Sequence, residues 1–183
     1  MNTINDTYLF KALDAFPYDI EETMEALNYA LSYNEKNPIA LGLMARVHGE
    51  VLGQYEEAKE YFQEALGYDM QCIKLYPHYI DVLLWNEDYN EAEKLIDFAL
   101  TVKGTDKGVL YLKKATLYES KFEFKEALKC LKSAKEYTFN GSFMSDLEDE
   151  KSRIKDKMPK KKKKSKKKKK GSKNSKSAKK RRN

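Results

Sequence analysis

The fold is decided by three short stretches, which read Gly53-Gln54-Tyr55-Glu56-Glu57-Ala58, Tyr89-Asn90-Glu91-Ala92 and Phe124-Lys125-Glu126-Ala127. The second alanine follows the first after 34 residues, and the third follows after a further 35. Each stretch continues with a large apolar residue and another alanine, as in Phe62 and Ala65. An alanine lets a facing helix approach, and the large residue four positions later fills the next groove between the helices. The stretches therefore predict a repeated pair of packed helices.

The rest of the chain also has the pattern of helices. Apolar residues recur at spacings of three and four between Tyr8 and Tyr137, which is the period of amphipathic helices. No stretch alternates apolar and polar residues as a half-buried strand would, and the chain holds only 8 glycines and 4 prolines. We expect an all-α fold.

This pattern resembles the tetratricopeptide repeat (TPR) family, whose ~34-residue unit has two antiparallel helices and a Gly-x-Tyr-x-x-Ala entry into the second. The resemblance implies a right-handed solenoid of antiparallel helix pairs with about three and a half repeats. The expected repeats lie near residues 6–38, 39–72, 73–106 and 107–140. Two departures weaken the match: Glu87 stands where glycine is usual, and the earliest repeat is degenerate.

Charge divides the chain into two parts. Residues 157–183 hold 17 lysines and arginines and no acidic residue, whereas the preceding 156 residues hold 18 basic and 29 acidic residues, a net charge of −11. Asn140-Gly141 is a helix-stop signal, and Ser145 with Glu148 predicts a capping helix near 145–157. We therefore expect a helical repeat domain at 1–156 and a disordered Lys-rich tail at 157–183.

Several classes of function are disfavoured. No apolar run approaches the ~18 residues of a membrane helix, so we expect no integral membrane association. Met1 to Asp14 lacks the pattern of a secretory signal, and two cysteines are too few for a disulfide scaffold. A cytoplasmic location fits, with a nuclear one as the alternative in a eukaryotic cell.

Chemistry-bearing residues are sparse. The two histidines and two cysteines, His48, His78, Cys72 and Cys130, form no metal-binding or catalytic motif, and Gly104 to Gly108 lacks the spacing of a phosphate loop. We predict no catalytic, cofactor-binding or metal-binding residue, hence no enzyme and no cofactor.

The resemblance implies a concave groove, lined by the first helices, that binds peptide segments of other proteins. The corresponding positions are Leu43, Val47, Glu50, Asp81, Leu84, Trp85, Leu112, Thr116 and Glu119. Two interpretations of Trp85 are open: it is an anchor in the groove, or it is a core residue. The Lys/Asn/Arg clamp of TPR co-chaperones is replaced by Leu43, Val47, His78 and Val109, with only Lys113 basic, so an acidic C-terminal chaperone peptide is disfavoured. Residues 1–100 carry a net charge of −13 (19 acidic, 6 basic), which favours a basic or apolar segment.

The tail predicts binding to a polyanion. Its candidate residues are Lys160, Lys161, Lys162, Lys163, Lys164, Lys166, Lys167, Lys168, Lys169, Lys170, Lys179, Lys180, Arg181 and Arg182. RNA or DNA is the first candidate partner, because lysines bind phosphates without reading the bases. An acidic membrane surface, the chain's own acidic body, a nuclear import receptor and a purely solubilising role are the alternatives.

We therefore expect a non-enzymatic protein-interaction module or adaptor with a polyanion-binding tail. The alternative is a structural assembly subunit whose repeats stack on partner proteins, with a tail that only solubilises the chain or contacts its acidic body.

Overall fold

The computed structural model describes residues 3–159, with side chains from Thr7 onward. Within that range the chain forms α-helices and one π-helical turn, and no strand occurs. The elements are α1 (Thr3–Ala15), α2 (Ile20–Tyr33), α3 (Pro38–Arg46) with the π-helical turn Val47–Val51, α4 (Tyr55–Tyr68), α5 (Leu75–Trp85), α6 (Tyr89–Thr101), α7 (Lys107–Ser120), α8 (Phe124–Glu136) and α9 (Gly141–Lys157). The predicted all-α class is confirmed.

Successive helices pair and then stack. We call α1, α3 with its π-helical turn, α5 and α7 the first helices, and α2, α4, α6 and α8 the second helices. Each second helix packs against the first helix of its own pair and that of the next, and α9 packs on α8. The alanines that defined the repeat, Ala58, Ala92 and Ala127, are completely buried at these contacts. The repeated small residue thus sets the close approach of the helices, as its spacing predicted.

The turns within the last three helix pairs each contain a residue with a positive φ angle. Gly53, Glu87 and Phe122 stand at equivalent places before α4, α6 and α8, and their φ angles are +66°, +60° and +60°. This left-handed region is readily available to glycine and costs other residues free energy. The departure at Glu87 therefore changes the residue but leaves the turn intact.

Two glycines bring the first helices close together. Gly42 and Gly49 lie seven residues apart, and both contact α5, through Leu75 and Val82 respectively. A Cβ atom added at Gly49 would lie 2.5 Å from Val82 Cγ2, which is too close for carbon atoms. The absence of a side chain is thus what seats α3 and its π-helical turn against α5.

The last helix begins earlier than expected. Asn140 caps α9, because its side-chain oxygen accepts hydrogen bonds from the backbone N–H groups of Ser142 and Phe143 at 3.0 and 3.3 Å. The start predicted at Ser145 is therefore corrected to Gly141, and Leu147 and Ile154 are its buried residues. The predicted tail, apart from residues 157–159, lies outside the described residues, so the division at 156 stays a prediction.

Candidate functional site

Pairs of acidic and basic side chains join neighbouring helices of the stack. In each pair, a carboxylate on one first helix meets a basic side chain from the next first helix or from α9. The pairs are Glu50 with His78, Asp81 with Lys113, and Glu119 with Arg153. The three carboxylates are all groove residues predicted from the sequence, and they belong to three successive first helices.

Glu50 lies between two basic side chains, Arg46 and His78. Arg46, one turn earlier, donates to its two oxygens at 2.8 and 3.0 Å, and His78 Nδ1 lies 2.9 Å from Oε1. Burial would raise the pKa of Glu50, but the hydrogen bonds from His78 and Arg46 outweigh it and lower the pKa to about 2. Glu50 is therefore ionised at neutral pH and already fully engaged.

Glu119 anchors the last helix. It is buried, and its oxygens accept hydrogen bonds from Arg153 at 2.6 and 2.7 Å and from Lys157 at 2.7 Å. Burial acts to raise the pKa of Glu119, but the bonds from the two α9 cations lower it on balance. This carboxylate therefore ties α9 to α7 and is not open to a ligand.

A cavity of about 560 Å³ lies between α5, α7 and α9. We call it the acidic groove, and it is lined by Asp81, Leu112, Lys113, Thr116, Asp146, Asp149, Glu150 and Arg153. Both of its cations are engaged, Lys113 by Asp81 and Arg153 by Glu119 and Glu150. Asp146 and Asp149 are exposed and form no ion pair within residues 3–159. The groove therefore presents uncompensated negative charge beside the apolar Leu112.

This architecture has counterparts among solved structures. PilF of Pseudomonas aeruginosa aligns with a TM-score of 0.70 at 16% sequence identity, over 83% of this chain and 71% of that one. The chain has a TPR-like fold. A thermophilic TPR protein of Thermus thermophilus is also 16% identical, over 82% of this chain and 98% of that one, with a TM-score of 0.49. No protein-family model and no curated protein sequence matches the chain.

The TPR-like fold places the nine predicted groove residues in different surroundings. Asp81, Leu112 and Thr116 line the acidic groove, whereas Leu84 packs on the core. Leu43 and Val47 are 3% and 0% exposed, so the prediction that they line a binding surface is wrong. Both pack in the core formed by α1 to α3, because Gly42 and Gly49 turn the neighbouring face of the helix toward α5.

Trp85 is not a buried core residue, and its interpretation as an anchor in the groove stays a prediction. Its side chain is 47% exposed, and its ring centroid lies 6.3 Å from that of Tyr55. It stands four residues after Asp81, which puts the two side chains on the same side of α5. In this TPR-like fold the single tryptophan is therefore partly packed against Tyr55 and lies one helical turn along α5 from Asp81 of the acidic groove.

The sequence reasoning missed the contribution of α9. Asp146, Asp149, Glu150 and Arg153 supply half of the groove lining, and none was among the predicted site residues. Their spacing of three, four and seven residues would have placed them on one helical face. That signal does not say which face meets the first helices, so only the packing of α9 in the TPR-like stack reveals it.

Other chemistry is sparse in the described part of the chain. Residues 3–159 contain no cluster of three or more His, Cys, Asp or Glu residues able to hold a metal ion. Cys72 and Cys130 are unpaired thiols whose pKa values are raised by burial. No helix among the described residues is long and apolar enough to span a membrane. The predicted polyanion-binding residues, Lys160 to Arg182, lie outside the described range.

Proposed function

We propose that this chain is a non-enzymatic protein-interaction module that binds a segment of another protein in the acidic groove. The observation that carries the proposal is the state of the charges in that groove. Lys113 and Arg153 are neutralised by carboxylates of the chain itself, whereas Asp146 and Asp149 have no cationic partner among the described residues. The groove is therefore built to receive cations from outside.

The ligand that fits this arrangement is a segment carrying lysine or arginine next to an apolar residue. A cation would pair with Asp146 or Asp149, and an aliphatic side chain would contact Leu112. Complementary charges of this kind select the partner and speed association more than they add affinity. An acidic segment would meet like charge at every open position of the groove, so we expect it to be rejected.

Titration of synthetic peptides, followed by the fluorescence of Trp85, tests the groove. We expect a Lys/Arg-Leu peptide to bind and its Asp/Glu-Leu counterpart to give no signal. The variant Asp146→Asn/Asp149→Asn should lose about tenfold in affinity, the equivalent of about 1.4 kcal/mol. The matched control is Glu57→Gln/Glu60→Gln, which neutralises two exposed carboxylates of α4 outside the groove. Equal binding of the basic and acidic peptides would refute the proposal.

We further propose that residues 157–183 attach the module to a polyanion, with RNA or DNA as the first candidate. The support is the 17 lysines and arginines without one acidic residue in that segment. Fluorescence anisotropy with a labelled RNA should show binding by the full chain and not by a chain ending at Pro159. That truncation keeps Lys157 and its bond to Glu119, so α9 stays anchored.

The salt dependence of this binding distinguishes a phosphate contact from other modes. If about eight lysines engage phosphates, the logarithm of affinity should fall with the logarithm of salt concentration with a slope near −6 to −7. Scrambling the RNA sequence should change little, because lysine positions on phosphate and does not read bases. Equal affinity of the full and truncated chains for RNA would refute the role of the tail.

A further inference from the structure

A second groove, between α8 and α9, has the opposite charge. We call it the basic groove; its cavity is about 300 Å³. Leu128, Leu131 and Leu147 form its apolar floor, and its rim consists of Lys132, Lys135, Glu148, Lys151 and Lys155. An occupant must therefore supply an apolar side chain for the floor and carboxylates for the rim.

The rim of the basic groove carries more lysines than its single glutamate can neutralise. Glu148 pairs with Lys135 at 3.0 Å and with Lys151 at 2.7 Å, which leaves one acidic group serving two lysines. Lys132 and Lys155 are exposed and form no ion pair with any residue in 3–159. The net charge of the rim, four lysines against one glutamate, is +3. This surface attracts anionic groups as well as apolar ones.

The groove lies where the stack stops within the described residues. Further inside, each apolar seam between a second helix and the next first helix is covered by more protein, and Phe62 and Ile96 are completely buried. Beyond α9 no described helix covers the seam. The segment 160–183 is a poor occupant, because its 16 lysines and arginines would meet the lysines of the rim and its only apolar residue is Ala178.

The other end of the stack carries the complementary surface. Phe10 and Leu13 of α1 are 62% and 39% exposed, lie three residues apart on one face, and have the exposed Asp14 beside them. We call these three residues the α1 face. Residues 7–33 hold five acidic residues against the single Lys11, and Lys11 is already paired with Glu22. This end therefore offers both the apolar side chains and the negative charge that the basic groove lacks.

We propose that the α1 face of one copy of this chain docks into the basic groove of a second copy. Phe10 and Leu13 would contact the leucine floor, and Asp14 would face the rim lysines. The two surfaces are different, so the contact is head-to-tail, and each added copy exposes a new groove and a new α1 face. The contact is small, so we expect weak, reversible association.

Sedimentation velocity of the full chain over micromolar to near-millimolar concentrations tests the proposal. The wild type should form a growing series of oligomers that dissociates at high salt. Two variants each remove one surface: Lys132→Glu/Lys155→Glu blocks the groove, and Phe10→Ser/Leu13→Ser blocks the α1 face. Each should be monomeric alone. An equimolar mixture should form a dimer and no larger species, because one intact surface of each kind remains.

Matched controls separate this contact from general charge and apolar effects. Lys94→Glu/Lys125→Glu makes the same charge change on exposed lysines of α6 and α8 outside the basic groove, and Phe139→Ser removes a fully exposed aromatic ring. Both should associate like the wild type, and circular dichroism should show every variant folded. The tail is present throughout, so it cannot account for a difference. A monomeric wild type, self-association by either blocked variant, or a mixture that stays monomeric would overturn the proposal.

Discussion

Lys113 on α7 donates to both carboxylate oxygens of Asp81 on α5, at 2.6 and 2.7 Å, across 32 positions of sequence. This pair links two first helices and also neutralises Asp81, whose helix follows that of Glu50 and precedes that of Glu119 in the stack. The same contact therefore supports the stack and limits how much negative charge the acidic groove presents to a ligand.

Replacing Lys113 with alanine should separate these two roles. We expect the free energy of unfolding to fall by about 0.5–1 kcal/mol, because the pair is only partly buried. Affinity for a basic Lys/Arg-Leu peptide should rise several-fold, because Asp81 becomes available. Urea unfolding and the Trp85 titration measure the two effects, with Lys94→Ala on α6 as the control. A loss of peptide affinity would contradict the role given to Asp81.

The left-handed turns predict that substitutions at two equivalent positions change the stability of the fold in opposite directions. Glu87→Gly should stabilise the fold by about 0.5–1 kcal/mol, because glycine adopts a φ of +60° without strain. Gly53→Ala should destabilise it by about 1 kcal/mol, although a Cβ there would meet no atom within 4 Å. Thermal or urea unfolding tests both. Because space is available at Gly53, a loss of stability in Gly53→Ala would come from backbone strain alone. An unchanged stability would show that the turn relaxes to remove the strain.

The approach of α3 to α5 depends on a missing side chain. Gly49→Ala should cost about 1–2 kcal/mol, because its Cβ would press on the branched Val82. Gly67→Ala is the matched control in α4: its Cβ would meet nothing within 4 Å, so alanine should stabilise the helix by up to about 1 kcal/mol. Urea unfolding measures both. Equal changes in the two variants would show that helix propensity, and not crowding, governs these positions.

Stability should depend on acidic pH through Glu50. Its pKa is about 2 in the folded chain against a usual 4.5, so the ionised carboxylate stabilises the fold above pH 4.5. That contribution is lost as the pH falls from 4.5 toward 2. Glu50→Gln should therefore be less stable than the wild type at pH 7 and should lose less stability over this window. Urea unfolding at several pH values tests it, with the exposed Glu57→Gln as the control expected to follow the wild type.

The helical pairs were predictable because their signal is local. Ala58, Ala92 and Ala127 recur at a nearly constant interval, and a small residue at a helix contact acts the same way in every repeat. The equivalence of Glu87 to Gly53 was also visible, although only the backbone shows that the turn keeps its left-handed form. The early start of α9 was missed because Ser145 and Asn140 are both good capping residues, and the choice between them depends on where Phe143 and Leu147 find a core.

The acidic groove was only partly predictable, for a different reason. Position in a repeat tells which residues share the face of a first helix. Asp81, Leu112 and Thr116 line one cavity, and their role in protein binding stays a prediction. Position in a repeat does not tell how far that face is buried. Leu43 and Val47 are buried in the core because Gly42 and Gly49 bring their helix close to α5.

The sequence by itself determined the helical period, the recurrence of the pairs and the separation of an acidic body from a basic end, because these depend on residue types at short or regular spacing. Only the tertiary structure decided which carboxylates are already paired with a cation of the chain and which are free to bind one from outside. Glu119 is paired with Arg153, 34 positions away, whereas Asp146 and Asp149 meet no cation among the described residues. Such pairings depend on the distances between stacked helices, which packing of the whole core sets and no local pattern records.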